Sequence, residues 1–108
     1  MTRAADRVFD VAAELFALLS NPTRLRIVCE LCDGEKNVGQ LLVRVGVSQS
    51  NMSRHLGVLH RSEVLGRRRR GTQIFYRIAS ESVLLLCDAV RAEQGRALAK
   101  VRTVRAVQ

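Results

Sequence analysis

The 108-residue chain has no tryptophan, a single tyrosine and a single proline, and aromatic side chains amount to only 4% of it. With so few of them the core has to be built from Leu, Val, Ile and Ala, which suits packed helices and argues against an all-β sandwich. No apolar run approaches the ~20 residues that span a bilayer, and the N-terminal stretch lacks the basic, apolar and small-residue order of a signal peptide. A cytoplasmic protein with no membrane partner is therefore expected. The three cysteines are an odd number in a chain without secretory features, which argues against a disulfide scaffold and for reduced thiols. Acidic residues are also short, 10 against 18 basic ones, leaving a net charge of +8. Nearly all of that charge is arginine, whose planar fork suits phosphate and guanine edges, so a polyanionic partner is favoured over a merely solvated basic surface.

What is present is aliphatic and periodic. Hydrophobic residues reach 47%, enough at this length for one domain with a modest core. From Ala5 to Leu19 the residues Val8, Val11, Ala12, Leu15 and Leu19 recur at helical spacing, with Phe9 and Phe16 on a neighbouring stripe. A helix apolar on more than one side has surface to spare, and in a small domain the surplus meets a partner subunit. Asn21 and Pro22 suit the cap and first position of a second helix running to about Cys32. Its inward face collects Leu25, Val28, Cys29 and Cys32, and Gly34 fits the left-handed position beyond it. A short third helix over Val38 to Val45 turns Leu41, Leu42 and Val45 inward and stops at Gly46. Ser48 caps a fourth helix, in which Met52, Leu56 and Leu59 share one stripe and Ser50, Arg54, Gly57 and Arg61 the opposite one. That outer stripe is polar and basic, and Gly57, which costs a helix ~1 kcal/mol relative to Ala, permits close approach of another surface.

Val64 to Arg68 and Gln73 to Ile78 read as two strands joined through Arg69, Arg70, Gly71 and Thr72. Ser80 caps a last helix that carries Val83, Leu84, Leu86, Cys87 and Val90 to about Leu98, with Lys100, Arg102 and Arg105 in a frayed basic tail. The chain thus divides into a domain over residues 1–98 and a tail over residues 99–108. Four helices, a hairpin and a fifth helix, with a tight glycine turn between the third and fourth, form a mainly α winged helix-turn-helix. The open N–H groups around Gln49, Ser50 and Asn51 favour a phosphate. Arg54 can pair bidentately with guanine and Gln49 or Asn51 can reach an adenine, whereas the hairpin arginines suit phosphates or a minor groove. A plainer alternative stands beside each: Ser48 and Asn51 as caps alone, Arg54 as a solvated charge, His55 packed at the edge of the apolar stripe, and His60 as a structural residue.

N-P-T-R-L-R-I-V (Asn21 to Val28), V-G-Q-L (Val38 to Leu41), V-S-Q-S-N-M-S-R-H-L (Val47 to Leu56) and R-R-R-R-G-T-Q-I-F-Y-R-I (Arg67 to Ile78) resemble the ArsR/SmtB family of bacterial repressors over residues 8 to 95. The resemblance implies a transcriptional repressor, not an enzyme, without a cofactor. It implies a homodimer formed through the first and last helices, bound to an inverted repeat in double-stranded DNA and released by an inducer that the sequence does not identify. Residue by residue, it places Gln49, Ser50, Ser53, Arg54 and His55 near base edges or phosphates and Arg68, Arg69, Arg70 and Thr72 in the wing. With Ser48 and Asn51 of the same helical start, these make the expected DNA-binding set. A protein-interaction or RNA-binding winged helix and a thiol oxidoreductase are the competing classes.

Two sensor patterns of that family are missing. Asn37 and Gly39 stand where helix-three thiolates would be, and no histidine follows His60 to complete a last-helix zinc shell, so no metal site is expected. A third subgroup senses persulfides or oxidants through one cysteine in helix two and one in the last helix. Cys29 matches the first position, while Cys87 falls about two turns early for the second. Cys29 and Cys32 also form a Cys-x-x-Cys, but in the last turns of a helix, where the dipole and Glu30 raise the thiol pKa instead of stabilising thiolate. Three readings stay open: a thiol switch centred on Cys29, a soft-ion or arsenite site of Cys29, Cys32 and Cys87, and inert core cysteines.

Overall fold

A computed structural model describes the backbone of residues 4–107 and the side chains of residues 7–99. The order is α1 (Ala4–Leu19), α2 (Pro22–Leu31), β1 (Lys36–Asn37), α3 (Val38–Val45), α4 (Gln49–Arg61), β2 (Leu65–Arg70), β3 (Gln73–Ile78) and α5 (Glu81–Val107). Strand β1 is an addition to the expected order. At two residues it is too short to show a period, and it exists because Lys36 and Asn37 pair antiparallel with Tyr76 and Phe75, making a sheet of order β1-β3-β2.

Local chemistry sets the helix ends. Asn21 Oδ1 accepts the Arg24 N–H at 3.1 Å and Pro22 opens α2, as expected. Asn37 caps α3 in a reciprocal box: its Oδ1 accepts the Gln40 N–H at 2.8 Å while Gln40 Oε1 accepts the Asn37 N–H at 2.9 Å. Gly46 ends α3 at φ 73°, and the tight turn to α4 follows. The end of α4 is unusual in placing Glu63 at φ 63° without a glycine. The Glu63 N–H donates to His60 O and the Val64 N–H to Leu59 O, both at 3.1 Å, so a Schellman closure turns the chain sharply into β2.

The core forms where α2 meets α3, α4, α5 and β3. Ile27 and Val28 are wholly buried, with Leu41, Met52, Leu56, Leu59 and Val83 around them. Each such side chain removed from water contributes about 1.5–3 kcal/mol. The inward face of α2 is thus Ile27, Val28 and Leu31, while the expected Leu25 and Cys29 are only half-buried. A second departure is chemical: Cys32 and Cys87 are joined as a disulfide with Cα atoms 6.7 Å apart, not held as reduced thiols, and Cys29 is the free one. Packing brings the end of α2 onto α5, and the two small sulfur side chains meet there.

The hairpin is tighter than expected. Arg69 and Arg70 continue β2, pairing with Ile74 and Gln73, so the turn is the two residues Gly71 and Thr72, with Gly71 at φ 65°. The last helix does not end near Leu98 but stays helical to Val107, since no Gly or Pro interrupts the stretch after Gly95. Lys100, Arg102 and Arg105 therefore lie on a helix instead of in a frayed tail, and their side chains fall outside those described. Helix α1 uses Leu15, Leu18 and Leu19 against the core and leaves Val8, Phe9, Val11 and Phe16 exposed, with Phe9 75% accessible.

His55 faces this core and is only 6% exposed. Its Nδ1 has no hydrogen-bond partner among the described residues, and burial, followed by the nearby charges of Arg54 and Arg24, pushes its pKa below the ordinary value. Burial disfavours the imidazolium in the folded protein, whereas the unfolded chain takes up a proton near pH 6.5. That contribution to stability is present above about pH 6.5 and is lost as pH falls through the lower folded value. Thermal denaturation should accordingly show wild-type Tm falling between about pH 7 and pH 5 more steeply than that of His55→Gln. Parallel profiles would remove His55 as the source.

Candidate nucleic-acid interface

Helix α4 presents opposite chemistry on its two sides. Met52, His55, Leu56 and Leu59 are buried, while Gln49, Ser50, Asn51, Ser53, Arg54 and Arg61 are exposed. Of the DNA-binding set expected on this helix, His55 is therefore the exception: it supports α4 from inside and cannot reach a base edge or phosphate without leaving the core. Ser48 Oγ accepts the Asn51 N–H at 3.2 Å, which fixes Ser48 as a helix cap, and Arg54 Nη2 reaches Asn51 Oδ1 at a long 3.5 Å. That weak contact leaves the guanidinium able to take a better acceptor. The first turn of α4 carries no acidic residue, so nothing negative competes with an anion at its positive end.

Between α4 and the hairpin lies a groove of 580 Å³. Gln49, Ser53 and Gly57 line one side, Arg67, Thr72 and Gln73 the other, and Asn37 closes an end. What approaches Gly57 is the Arg61 side chain of the same helix: a Cβ there would lie 3.1 Å from the guanidinium folded over it. The strand period separates the four arginines. Arg67 and Arg69 pair with Tyr76 and Ile74, and of these Arg67, Tyr76 and Ile74 line the groove, whereas Arg68 pairs with Phe75 on the other face. Gln73 and Asn37 were absent from the expected set, and Arg67 was expected only as part of the basic wing run. The alternation along β2 is the signal that points to Arg67; no local signal points to Asn37, because β1 forms only through its pairing with β3.

Arg68 stands apart from its neighbours. Its guanidinium forks onto Glu35, with Nε donating to Oε1 at 2.9 Å and to Oε2 at 3.0 Å, and Nη2 donating to Oε1 at 2.7 Å. This partner raises the pKa of a group that is charged in any case. The expected grouping of Arg68 with Arg69, Arg70 and Thr72 as exposed contacts therefore splits, with Arg68 committed to the loop before α3 and the other three exposed at the tip of the hairpin.

The sulfur junction lies at the other end of α2. The Cys32–Cys87 disulfide ties α2 to α5, and one turn along α5 Arg91 donates to the Cys29 carbonyl at 3.3 Å and to Asp33 Oδ1 at 2.6 Å. Burial pushes the Cys29 thiol up, the Arg91 charge opposes this and Glu30 reinforces it. The thiolate of Cys29 is thus disfavoured, and the pair that meets is Cys32 with Cys87 instead of Cys29 with Cys87. Among the described residues no three His, Cys, Asp or Glu side chains gather as a metal shell, and no helix is long and apolar enough to cross a membrane.

The family model described as bacterial regulatory protein, arsR family, matches residues 21–65, from the cap of α2 to the start of β2. A biofilm growth-associated repressor from Xylella fastidiosa is 41% identical over 78 residues, covering 72% of this chain and 68% of the relative. Among solved structures, reduced HlyU from Vibrio cholerae superposes with a TM-score of 0.79 at 30% identity, covering 84% of this chain and 96% of that one. The homodimeric winged helix-turn-helix DNA-binding domain of a possible ArsR-family regulator from Mycobacterium bovis gives 0.74 at 28% identity, covering 91% of each chain. Agreement in sequence across the helix-turn-helix and in three dimensions through the wing and both flanking helices establishes that the chain belongs to the arsR family of bacterial regulatory proteins.

Proposed function

We propose that the protein is a homodimeric, sequence-specific DNA-binding repressor of transcription, working in the cytoplasm and released from its operator by chemistry at the cysteines joining α2 and α5. One arrangement carries the reading. Ser50, Arg54 and Arg61 stand exposed on a helix whose buried side is locked into the core, and a hairpin bearing Arg67, Arg69 and Arg70 flanks that helix across a groove whose two sides carry Gln49 and Ser53 on one and Arg67, Thr72 and Gln73 on the other. Arg54 is assigned to base edges, with Gln49, Ser50, Asn51 and Ser53 beside it, while Arg69, Arg70 and Thr72 grip the backbone. The exposed apolar face of α1, continued by Leu85 of α5, supports a homodimer, as does the dimeric domain from M. bovis. Two such helices related by a two-fold axis read half-sites ~34 Å apart, hence an inverted repeat. The name of the X. fastidiosa relative favours repression.

Release is assigned to Cys32 and Cys87 in preference to Cys29. Oxidation of the dithiol by peroxide or a persulfide removes two protons and two electrons and ties α5, which carries part of the apolar face, to the helix that leads into the helix-turn-helix. The angle between the dimer face and the reading helix then depends on the state of one bond.

Two experiments test these assignments. In titrations of a duplex carrying the upstream region against a random duplex, the wild type should discriminate by at least ~10³-fold, and equal affinity would sink the repressor reading. Arg54→Ala should lose about 1–3 kcal/mol of that discrimination, while Arg69→Ala should weaken both duplexes and lower the salt slope by about one. For release, the same titration on reduced protein before and after peroxide or a persulfide should show a response that disappears in Cys32→Ser and Cys87→Ser and persists in Cys29→Ser. The reverse pattern would return the switch to Cys29, and a response to arsenite needing all three cysteines would favour a thiolate ion site.

A further inference from the structure

The Arg68–Glu35 pair is misplaced for a surface whose task is to attract phosphate. A carboxylate among wing arginines lowers the local positive potential and with it the attraction for any duplex. Stability offers a poor explanation, because exposed ion pairs contribute little to folding, and here Arg68 is 55% and Glu35 25% exposed. What a two-pronged guanidinium–carboxylate contact does supply is direction, since both partners must keep their planes aligned. A two-stranded ribbon by itself holds its angle weakly. This one is anchored on one side by the segment before α3 in three ways: the Glu35 fork on Arg68, the pairing of Lys36 and Asn37 with Tyr76 and Phe75, and Asn37 Nδ2 donating to Gln73 Oε1 at 3.1 Å. Asn37 is also the cap of α3, whose own end leads through the tight turn into α4. The ribbon angle and the reading helix are therefore referenced to the same short segment.

We propose that Glu35 is a positioning residue for DNA recognition: it holds Arg68 as a strut that fixes the wing against the reading helix and keeps that guanidinium off the phosphates, so that operator is favoured over random duplex. Arg68 is then spent on orientation, and the phosphate grip falls to Arg69 and Arg70. This rests on the reading of α4 and the hairpin as the DNA-binding surface. It makes Glu35 a determinant of specificity although it touches no DNA.

The test uses a duplex that the wild-type protein selects from a random-sequence pool, with an unselected random duplex as control, titrated across salt with wild type, Glu35→Gln, Arg68→Gln and the double variant. Glu35→Gln should bind the selected duplex about fivefold more weakly and the random duplex no more weakly than wild type, with a salt slope on random duplex steeper by about one as Arg68 is freed. In the Arg68→Gln background, Glu35→Gln should change the selectivity ratio by less than about twofold, because Glu35 acts through that partner. Glu35→Asp, which keeps the charge, should retain the ratio within about threefold, and urea midpoints establish that each variant is folded. Equal loss on both duplexes, an unmoved ratio, or an effect of Glu35→Gln that persists without Arg68 would overturn the strut. A wild type that selects no duplex would overturn the DNA-binding reading and the strut with it, whereas selection with an unmoved ratio overturns the strut alone.

Discussion

Everything in this fold hangs on one face of a short helix. Ile27 and Val28 of α2 are inaccessible to water, and the elements that bury them come from both halves of the chain: α3 and α4 after it, β3 and α5 from the far end. Among the described residues the buried side chains form a single cluster around these two. Helix α4 is therefore held in place because its Met52–Leu56–Leu59 stripe shares that burial, not because its own sequence favours a helix strongly; Gly57 weakens it internally. A helix held from behind in this way can leave its outer side free of packing duties, and Ser50, Arg54 and Arg61 occupy that side.

The division of labour among charges follows from the same geometry. Four successive arginines would be an undifferentiated basic run in an unstructured segment. In a strand they alternate, and the partner elements on the two faces differ: the groove against α4 on one, the Glu35 carboxylate on the other. Identical side chains thereby acquire different surroundings at a spacing of one residue. The apolar surplus of α1 is a separate resource, since none of the residues that line it lines the groove and it is continuous with Leu85 of α5.

The helices, their caps at Asn21 and Ser48, the stop at Gly46 and the two-sided character of α4 were legible from the chain because each depends on residues within one or two turns. What was not legible depends on contacts distant in sequence. Strand β1 is defined by its pairing with Phe75 and Tyr76, the Cys32–Cys87 bridge spans 55 residues, and the Arg68–Glu35 fork spans 33. His55 shows the limit at finer scale: one position at the margin of an apolar stripe goes inward or outward according to the depth of the cleft it faces, and here it goes inward. The length of α5 was underestimated for a different reason, since a basic, alanine-rich stretch with no stop signal suits a helix as well as it suits a solvated tail. The family resemblance pointed to α4 and the hairpin as a region but could not say which of the arginines there was already engaged with Glu35.

The connection from Asp33 to Asn37 is a loop by position, and loops usually absorb insertions and drift in sequence. This one is pinned at successive residues to unrelated parts of the molecule: Asp33 to Arg91 of α5, Glu35 to Arg68 of the wing, Lys36 to the Glu30 carbonyl at 2.6 Å, and Asn37 to both Gln73 and the start of α3. A single added residue would put every later attachment out of phase with its partner. The segment therefore behaves as a fixed-length gauge, and among relatives that share this architecture, change should accumulate by exchange of side chains at these positions and not by change in the number of residues between α2 and α3.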